Sequence, residues 1–425
     1  MSSDTHPLSP SRVHCLASDG PACQAAATSM KASTSACRRR PLVARRCFLR
    51  GAAAAVVAVP AVVRAQEPGL RAAVIGHTGR GDYGHGLEKI FEGRSGVELV
   101  ALADPDATGR DKTAAAIGAP RRYADFREML DKERPQLVSI AMRHADQHHE
   151  IGLACLRAGA HCYFEKPFTR SSAEADDLLA EASRRQLKIA VAHTMRVAPL
   201  LVRFRQAVRD GLLGDLKELR AYGKQDNRAG GEDMMVLGTH LFDLLRLFAG
   251  DPLWCSARVL SDGRDITRDD RRLVKDNVGF VAGDEVFAQF AFAGGVQASF
   301  TSSARLRETV GHWGIELLGS RGAARLNCDM SPNIFLRKTT GWDRAGRTDE
   351  FRPFEPELDK DPATHDLGPV GDWLEAIARD GEPECSGRNG AWAVEMVMAV
   401  YQSALRGAHM KFPLEDRAHP LAPTG

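Results

Sequence analysis

The sequence predicts an α/β protein: an N-terminal doubly wound parallel sheet, then a C-terminal α+β half with a large, open-faced, mostly antiparallel sheet. Three observations predict it. From residue 70 to 192, short apolar runs alternate with helical patterns, as βαβ units require. The first run is followed by five glycines in eleven residues, and the second ends in an acid, Asp104. From about Gly214 onward, apolar and polar residues alternate with period two, as on a sheet with one wet face.

The chain has 425 residues, enough for two or three domains. Its division is read as a leader over 1–65, a nucleotide domain over 70–192 and an α+β domain for substrate and oligomerisation over 193–414. Residues 1–65 hold nine Lys/Arg and two Asp/Glu, a net +7, so the remainder carries −5 of the formal total of +2. A mildly acidic body argues against general nucleic-acid binding. Of nine cysteines, Cys155, Cys162, Cys255, Cys328 and Cys385 lie in the body, scattered and without C-x-x-C spacing. They are read as buried small hydrophobes, with room for one disulfide at most. No metal-ligand spacing is present.

In the leader, Arg45, Arg46, Cys47, Phe48, Leu49 and Arg50 precede an uncharged run from Gly51 to Val63 and small residues at Val63 and Ala65. Charge, apolar core and cleavage site come in export order, and the stretch resembles a twin-arginine signal. The apolar run is too short to cross a bilayer of about 30 Å, so no stable membrane anchor is expected. The reading implies twin-arginine machinery as a partner and a periplasmic location. Met1 and Met30 are both open as the start.

Ala72 to Ile75 reads as a buried parallel strand. Gly76 closes it, and Gly79, Gly81 and Gly84 have G-x-G-x-x-G spacing, three residues later than the usual fingerprint. Glycines let the backbone approach a pyrophosphate, with a helix N-terminus expected to face the charge. Val97 to Ala103 is the second strand. Asp104, twenty residues after Gly84, stands where an acid accepts the ribose hydroxyls. Such an acid favours NAD over NADP, with Arg110 as a counter-argument, and the cofactor is expected to be tightly bound. Helices follow over Thr108–Ile117, Ala124–Asp131, His148–Ala158 and Ser171–Arg185. The remaining strands are Gln136–Met142, His161–Phe164 and Leu187–Ala192.

Glu165, Lys166 and Pro167 stand at the carboxyl end of the fourth strand, where ligands bind in such sheets. By themselves they equally describe a surface charge pair before a proline turn. With AMRHADQHHEIGLACLRAGAHCYFEKP around them, they resemble the Gfo/Idh/MocA family of oxidoreductases, whose hallmark is E-K-P. The resemblance runs from about Arg71 to Leu414. It implies a Rossmann domain holding NAD or NADP, with Gly76, Gly79, Gly81, Gly84, Asp104, His149, Glu165, Lys166, Pro167 and Arg196 at the cofactor. The alternative for Arg196 is a structural salt bridge.

Met195 to Asp210 reads as one helix. Gly238 to Phe248 is another, with Leu241, Leu244, Leu245 and Phe248 as its core stripe. His240 by residue type alone is a core histidine. The resemblance makes it the general acid/base of the family's D-x-G-x-H element, with Gly238 matching the glycine. The aspartate position is Val236, which holds no proton, and Glu232 and Asp233 lie upstream. Lys166 and His240 are therefore the catalytic candidates. Strands over Asn277–Arg305, His312–Leu318, Ala323–Asn327 and Asn333–Thr339 suggest an antiparallel sheet of roughly six strands. The family uses that sheet for homo-oligomer packing. Val370–Arg379 and Ala391–Arg406 close the chain as amphipathic helices.

The implied function is NAD(P)-dependent hydride transfer at a secondary alcohol of a sugar, polyol or related carbohydrate. Two alternatives remain at this level. One is an NAD-assisted glycoside hydrolase or lyase that oxidises its sugar transiently. The other is a non-catalytic nucleotide- or sugar-binding homologue, as Val236 would allow.

Overall fold

The computed structural model describes residues 69–307, 313–328, 332–338, 350–356 and 368–423. The leader, with Arg45 and Arg46, lies outside the described residues.

The first sheet has six parallel strands in the order β3-β2-β1-β4-β5-β6. They are β1 (Leu70–Ile75), β2 (Val97–Ala103), β3 (Arg121–Tyr123), β4 (Leu137–Ile140), β5 (His161–Phe164) and β6 (Ile189–Val191). The order reverses between β1 and β4, creating the crevice where such sheets bind ligands. Four helices cover the faces: α1 (Ala107–Ile117), α2 (Phe126–Glu133), α3 (His148–Arg157) and α4 (Ser172–Arg185). Their starts are set by side chains that accept a free backbone N–H: Asp106 from Gly109, Asp125 from Arg127 and Ser171 from Glu174. Five strands are predicted from sequence. The sixth, β3, is a short edge pair with β2 whose two arginines are exposed, so it carries no apolar signal.

The helix expected after the glycines is absent. A single 3-10 turn, Leu87–Lys89, stands there. Glycines at 76, 79, 81, 84 and 86 disfavour helix, and Gly93 ends the few residues left. Leu87 and Phe91 nevertheless bury their side chains against the sheet.

The second sheet has ten strands, not six. Its members are β7 (Leu216–Tyr222), β8 (Pro252–Ser261), β9 (Arg264–Asp265), β12 (Glu285–Phe292), β13 (Gln297–Ser303), β14 (Gly314–Gly319), β15 (Ala323–Asn327), β16 (Asn333–Arg337), β17 (Arg352–Pro353) and β18 (Met410–Lys411). A separate pair is formed by β10 (Arg272–Leu273) and β11 (Phe280–Val281). The two-residue strands are too short to show a period, which is why the sequence undercounts them. Every pairing in the large sheet is antiparallel except β7 with β13.

The stretch expected as one helix from Met195 is a 3-10 turn, Thr194–Val197, followed by α5 (Pro199–Arg209), with proline at its first position. The next helical stretch is likewise double: α6 (Gly231–Val236), then α7 (Gly238–Ala249). On α7 the stripe includes Leu241, Phe242, Leu244 and Leu245, all fully buried. Phe242 packs against Phe290 and Phe300 of the sheet, at ring distances of 5.5 and 4.9 Å. The long helix Gly387–Arg406 contacts α4 and β6 of the first half and α7 and β8 of the second, so one apolar core runs through both halves. The five body cysteines are buried and free, as small core hydrophobes.

Candidate functional site

The site lies where β1, β4, β5 and β6 end against α6 and α7. The glycine-rich loop covers β1. A Cβ on Gly76 would fall 2.1 Å from the Tyr83 ring. Gly81 and Gly84 have φ of +82° and +60°. A Cβ on Gly81 would meet the backbone of Arg143 and His144, and one on Gly84 would lie 2.6 Å from the Ala141 carbonyl. Arg143 N–H donates to Gly81 O at 3.2 Å, so the loop closes directly on the end of β4.

Asp104 anchors this loop. Its Oδ2 accepts from Thr78 N–H at 3.0 Å, Thr78 Oγ1 at 2.6 Å and Tyr83 OH at 2.7 Å. Its Oδ1 accepts from Asp106 N–H at 2.9 Å. The carboxylate is fully buried. The acid expected to face the ribose is thus engaged inside the protein. Burial, then the bond to Asp104, pushes the Tyr83 phenol pKa well up. Arg110 donates to the Asp104 carbonyl at 3.0 Å.

Beside Asp104 lies a cavity of about 290 Å³, lined by Gly76, Ala103, Pro105, Phe126, Met142 and Ile151 among others. His77 and Gln147, bonded at 2.9 Å, stand at it too. An apolar slot with a polar edge, at the reversal of strand order, fits the adenosine half of a dinucleotide.

The Glu165–Pro167 turn ends β5. His148 clamps it from below. Its Nδ1 lies 3.1 Å from the carbonyls of Pro167 and Phe168, and its Nε2 lies 2.8 Å from that of Met142. His149, expected at the cofactor, instead faces α4, with Nε2 3.0 Å from Asp177 Oδ2. Neighbouring residues on a helix point about 100° apart, so one position separates a clamp from a surface pair. Glu165 is fully buried; one oxygen bonds His85 Nδ1 and the other has no partner. Lys166 is buried and donates to the Val236 carbonyl at 3.3 Å. Burial lowers its pKa, with Glu165 opposing.

From the second half, His240 stands on the first turn of α7, partly buried. Its ring is 5.3 Å from that of His193 and 5.9 Å from that of Trp313. Burial drives its pKa well down, and Lys166 pushes the same way, ahead of His193 and His85. His193, at the end of β6, is buried with both ring nitrogens unpartnered. Its Nδ1 is 3.7 Å from Asp243. Burial lowers its pKa against the pull of Asp243. Arg196 Nε grips both oxygens of Asp243, at 2.7 and 2.8 Å, and both residues are buried. Arg196 therefore makes a structural salt bridge with Asp243. Asp233 also serves the fold: it accepts from Ser302 Oγ at 2.6 Å and from the backbone of Lys224 and Gln225.

Unpartnered buried polar atoms gather here: Glu165 Oε2, both His193 nitrogens, His240 Nδ1 and Trp313 Nε1. Each costs about 1–3 kcal/mol if left so, a cost that a bound ligand or water removes. Sequence reasoning singled out Lys166 and His240 but missed His85, His193 and Trp313. A histidine just past the carboxyl end of a strand was the available signal for His193. Among the described residues no group of acids, histidines and cysteines is placed to hold a metal, and no helix is long and apolar enough to cross a membrane.

Residues 70–193 match the Gfo/Idh/MocA model described as an oxidoreductase family, NAD-binding Rossmann fold. Residues 217–412 match that family's C-terminal alpha/beta domain. D-apiose dehydrogenase of Paraburkholderia graminis is 26% identical over 326 residues, covering 73% of this chain and 82% of that protein. 1,5-Anhydro-D-fructose reductase of Ensifer adhaerens is 24% identical over 330 residues, covering 74% and 90%. The structure of levoglucosan dehydrogenase in complex with NADH and levoglucosan has a TM-score of 0.64 at 19% identity, covering 81% of this chain and 100% of that one. Aldose-aldose oxidoreductase of Caulobacter crescentus, complexed with glycerol, has a TM-score of 0.63 at 19% identity, covering 81% and 100%. The two structural likenesses show the fold.

Proposed function

The chain belongs to the Gfo/Idh/MocA oxidoreductase family, with an NAD-binding Rossmann domain, and from that premise we propose that it oxidises or reduces a sugar or polyol at a secondary alcohol. The observation that carries the proposal is the set of unpartnered polar atoms around Lys166 and His240, at the end of β5. A sugar presents hydroxyls on several sides, and such atoms answer them one by one. Relatives named for D-apiose and 1,5-anhydro-D-fructose support a carbohydrate.

The glycine-rich loop and the cavity beside Asp104 would hold NAD, which when bound supplies the hydride acceptor or donor. Lys166 places an ammonium in a buried setting, where it stabilises negative charge developing on the reacting oxygen. His240, held neutral by its surroundings, binds that oxygen through its imidazole rather than as a cation. Arg228, Glu232 and Asp276 bring further charge near, since Lys166 feels Arg228 and Asp276, and Glu232 feels Arg228 and Asp276. They are candidates for choosing among hydroxyl patterns.

Export through the twin-arginine route and a periplasmic location complete the proposal, together with a homo-oligomer formed through the open face of the large sheet. The test is to incubate the mature protein with a panel of sugars and polyols and follow NADH. Net NADH formation is the expected result. Glycoside cleavage without net NADH would instead establish the hydrolase reading, and binding without either reaction would establish a non-catalytic homologue. In cells, Arg45→Lys with Arg46→Lys should leave the unprocessed chain in the cytoplasm; unchanged processing would reject the signal.

A further inference from the structure

We propose that His85 is a further catalytic residue: Glu165 holds its Nδ1 so that Nε2 is presented to the cleft as acceptor of the substrate's hydroxyl proton. The inference rests on the oxidoreductase reading and names a residue for the proton that Val236 cannot take.

The placement begins with Gly84. A Cβ there would lie 2.6 Å from the Ala141 carbonyl and 3.0 Å from Glu165 Cγ, and its φ is +60°. Only glycine lets the loop come this close, and that approach sets the next residue over Glu165. His85 Nδ1 bonds Glu165 Oε1. The two side chains differ sharply in exposure, at 45% for His85 and 1% for Glu165. A carboxylate only accepts, so the facing nitrogen carries the hydrogen and the other ring nitrogen keeps its lone pair. Because Glu165 is buried and His85 is open, the free lone pair belongs to the accessible member of the pair. This is the logic by which a buried carboxylate fixes tautomer and orientation for a working histidine and stabilises the imidazolium that forms.

His240 is differently placed. Burial, and after it Lys166, disfavour its charged form, and no carboxylate opposes them. A buried imidazole beside an ammonium resists taking a proton. It suits hydrogen bonding to the reacting oxygen, while His85, beside a carboxylate, suits the transfer. Glu165, which His85 bonds, directly precedes Lys166, and Lys166 reaches the Val236 carbonyl on the element before the one that carries His240.

The step balances as follows. The substrate O–H bond breaks and its proton forms an N–H bond at His85 Nε2. The carbinol C–H bond breaks with its electron pair, which leaves as hydride toward the nicotinamide, and the carbon becomes a carbonyl. In the reverse direction His85 returns the proton.

The test uses the full mature protein and the substrate found in the wild-type screen. His85→Asn should lower kcat about 10²–10⁴-fold. Its affinity for NADH, measured by fluorescence titration, should stay within twofold, and its unfolding temperature should be unchanged. Imidazole added to His85→Ala should restore part of the turnover. In ¹⁵N-histidine spectra of the wild type without cofactor, His85 should show the Nδ1–H tautomer, and Glu165→Gln should lose that preference. Full turnover in His85→Asn, or NADH affinity that falls in step with turnover, overturns the role. So does an Nε2–H tautomer in the wild type. A wild type inactive on every sugar and polyol overturns the oxidoreductase reading and this role with it. An active wild type with an equally active His85→Asn overturns the role alone.

Discussion

Asp104 accepts four hydrogen bonds while fully buried, and the three from Thr78 and Tyr83 tie the glycine-rich loop to the end of β2. Asp104→Ala would leave Thr78 and Tyr83 donors buried without acceptors. Hydrogen bonds to a charged group are worth about 1.5–3 kcal/mol each, so a loss of about 3 kcal/mol in unfolding free energy is expected. NAD and NADP affinities should then fall together, because the loop itself is released. Denaturant unfolding and fluorescence titration check both; unchanged stability with a selective loss of NAD binding would return Asp104 to the ribose. That this acid ends a strand near a nucleotide cavity was legible from spacing. Its partners were not, because Thr78 and Tyr83 come to it only when the loop folds back. Arg196 follows the same rule: its place was readable, but its grip on Asp243 depends on α7 lying across the turn before α5.

Strand β5 carries an element-scale prediction. His161 accepts from Lys188 N–H at 2.9 Å through Nδ1, and burial followed by the Lys188 charge lowers its pKa to about 4. In the unfolded chain the same imidazole takes a proton near pH 6.5. The unfolded state therefore binds more protons between those values. The contribution of His161 is complete above about pH 6.5 and is lost as pH falls toward about 4. Thermal unfolding measured from pH 7 to 4.5 should show a decline that is shallower in His161→Asn; parallel curves would remove His161 as a cause. Helices were legible to within a residue or two: expected from Thr108, Ala124 and Ser171, they start at Ala107, Phe126 and Ser172, each behind its capping side chain. The expected helix after the glycines was not formed, because apolar spacing at Leu87 and Phe91 can be satisfied by one turn. The two-residue strands were invisible for a related reason: they exist through their neighbours' unpaired edges, not through a period of their own.

At the scale of the whole molecule, the helix Gly387–Arg406 and the shared core bind the two halves, while among the described residues part of one face of the large sheet is exposed at β12. On that face Phe287 is 42% exposed, opposite Arg258 of β8 and Thr301 of β13. If this face packs against a second copy, Phe287→Lys should shift the protein to a smaller species in analytical ultracentrifugation while leaving its unfolding temperature unchanged. An unaltered sedimentation profile would move the interface elsewhere. The sequence by itself determined the α/β class, the alternation of strands and helices, the E-K-P turn at a strand's carboxyl end and the position of His240 on a helix. Each of these rests on residues near one another in the chain, where periodicity, capping and glycine spacing act directly. Only the tertiary structure decided which side chains share the cleft. His85, the Glu165–Lys166 pair, His193, His240 and Trp313 come from five separate places in the sequence, and packing alone brings them together. Their buried atoms take their chemical character from loss of water and from neighbouring charge, and neither exists until the chain has folded.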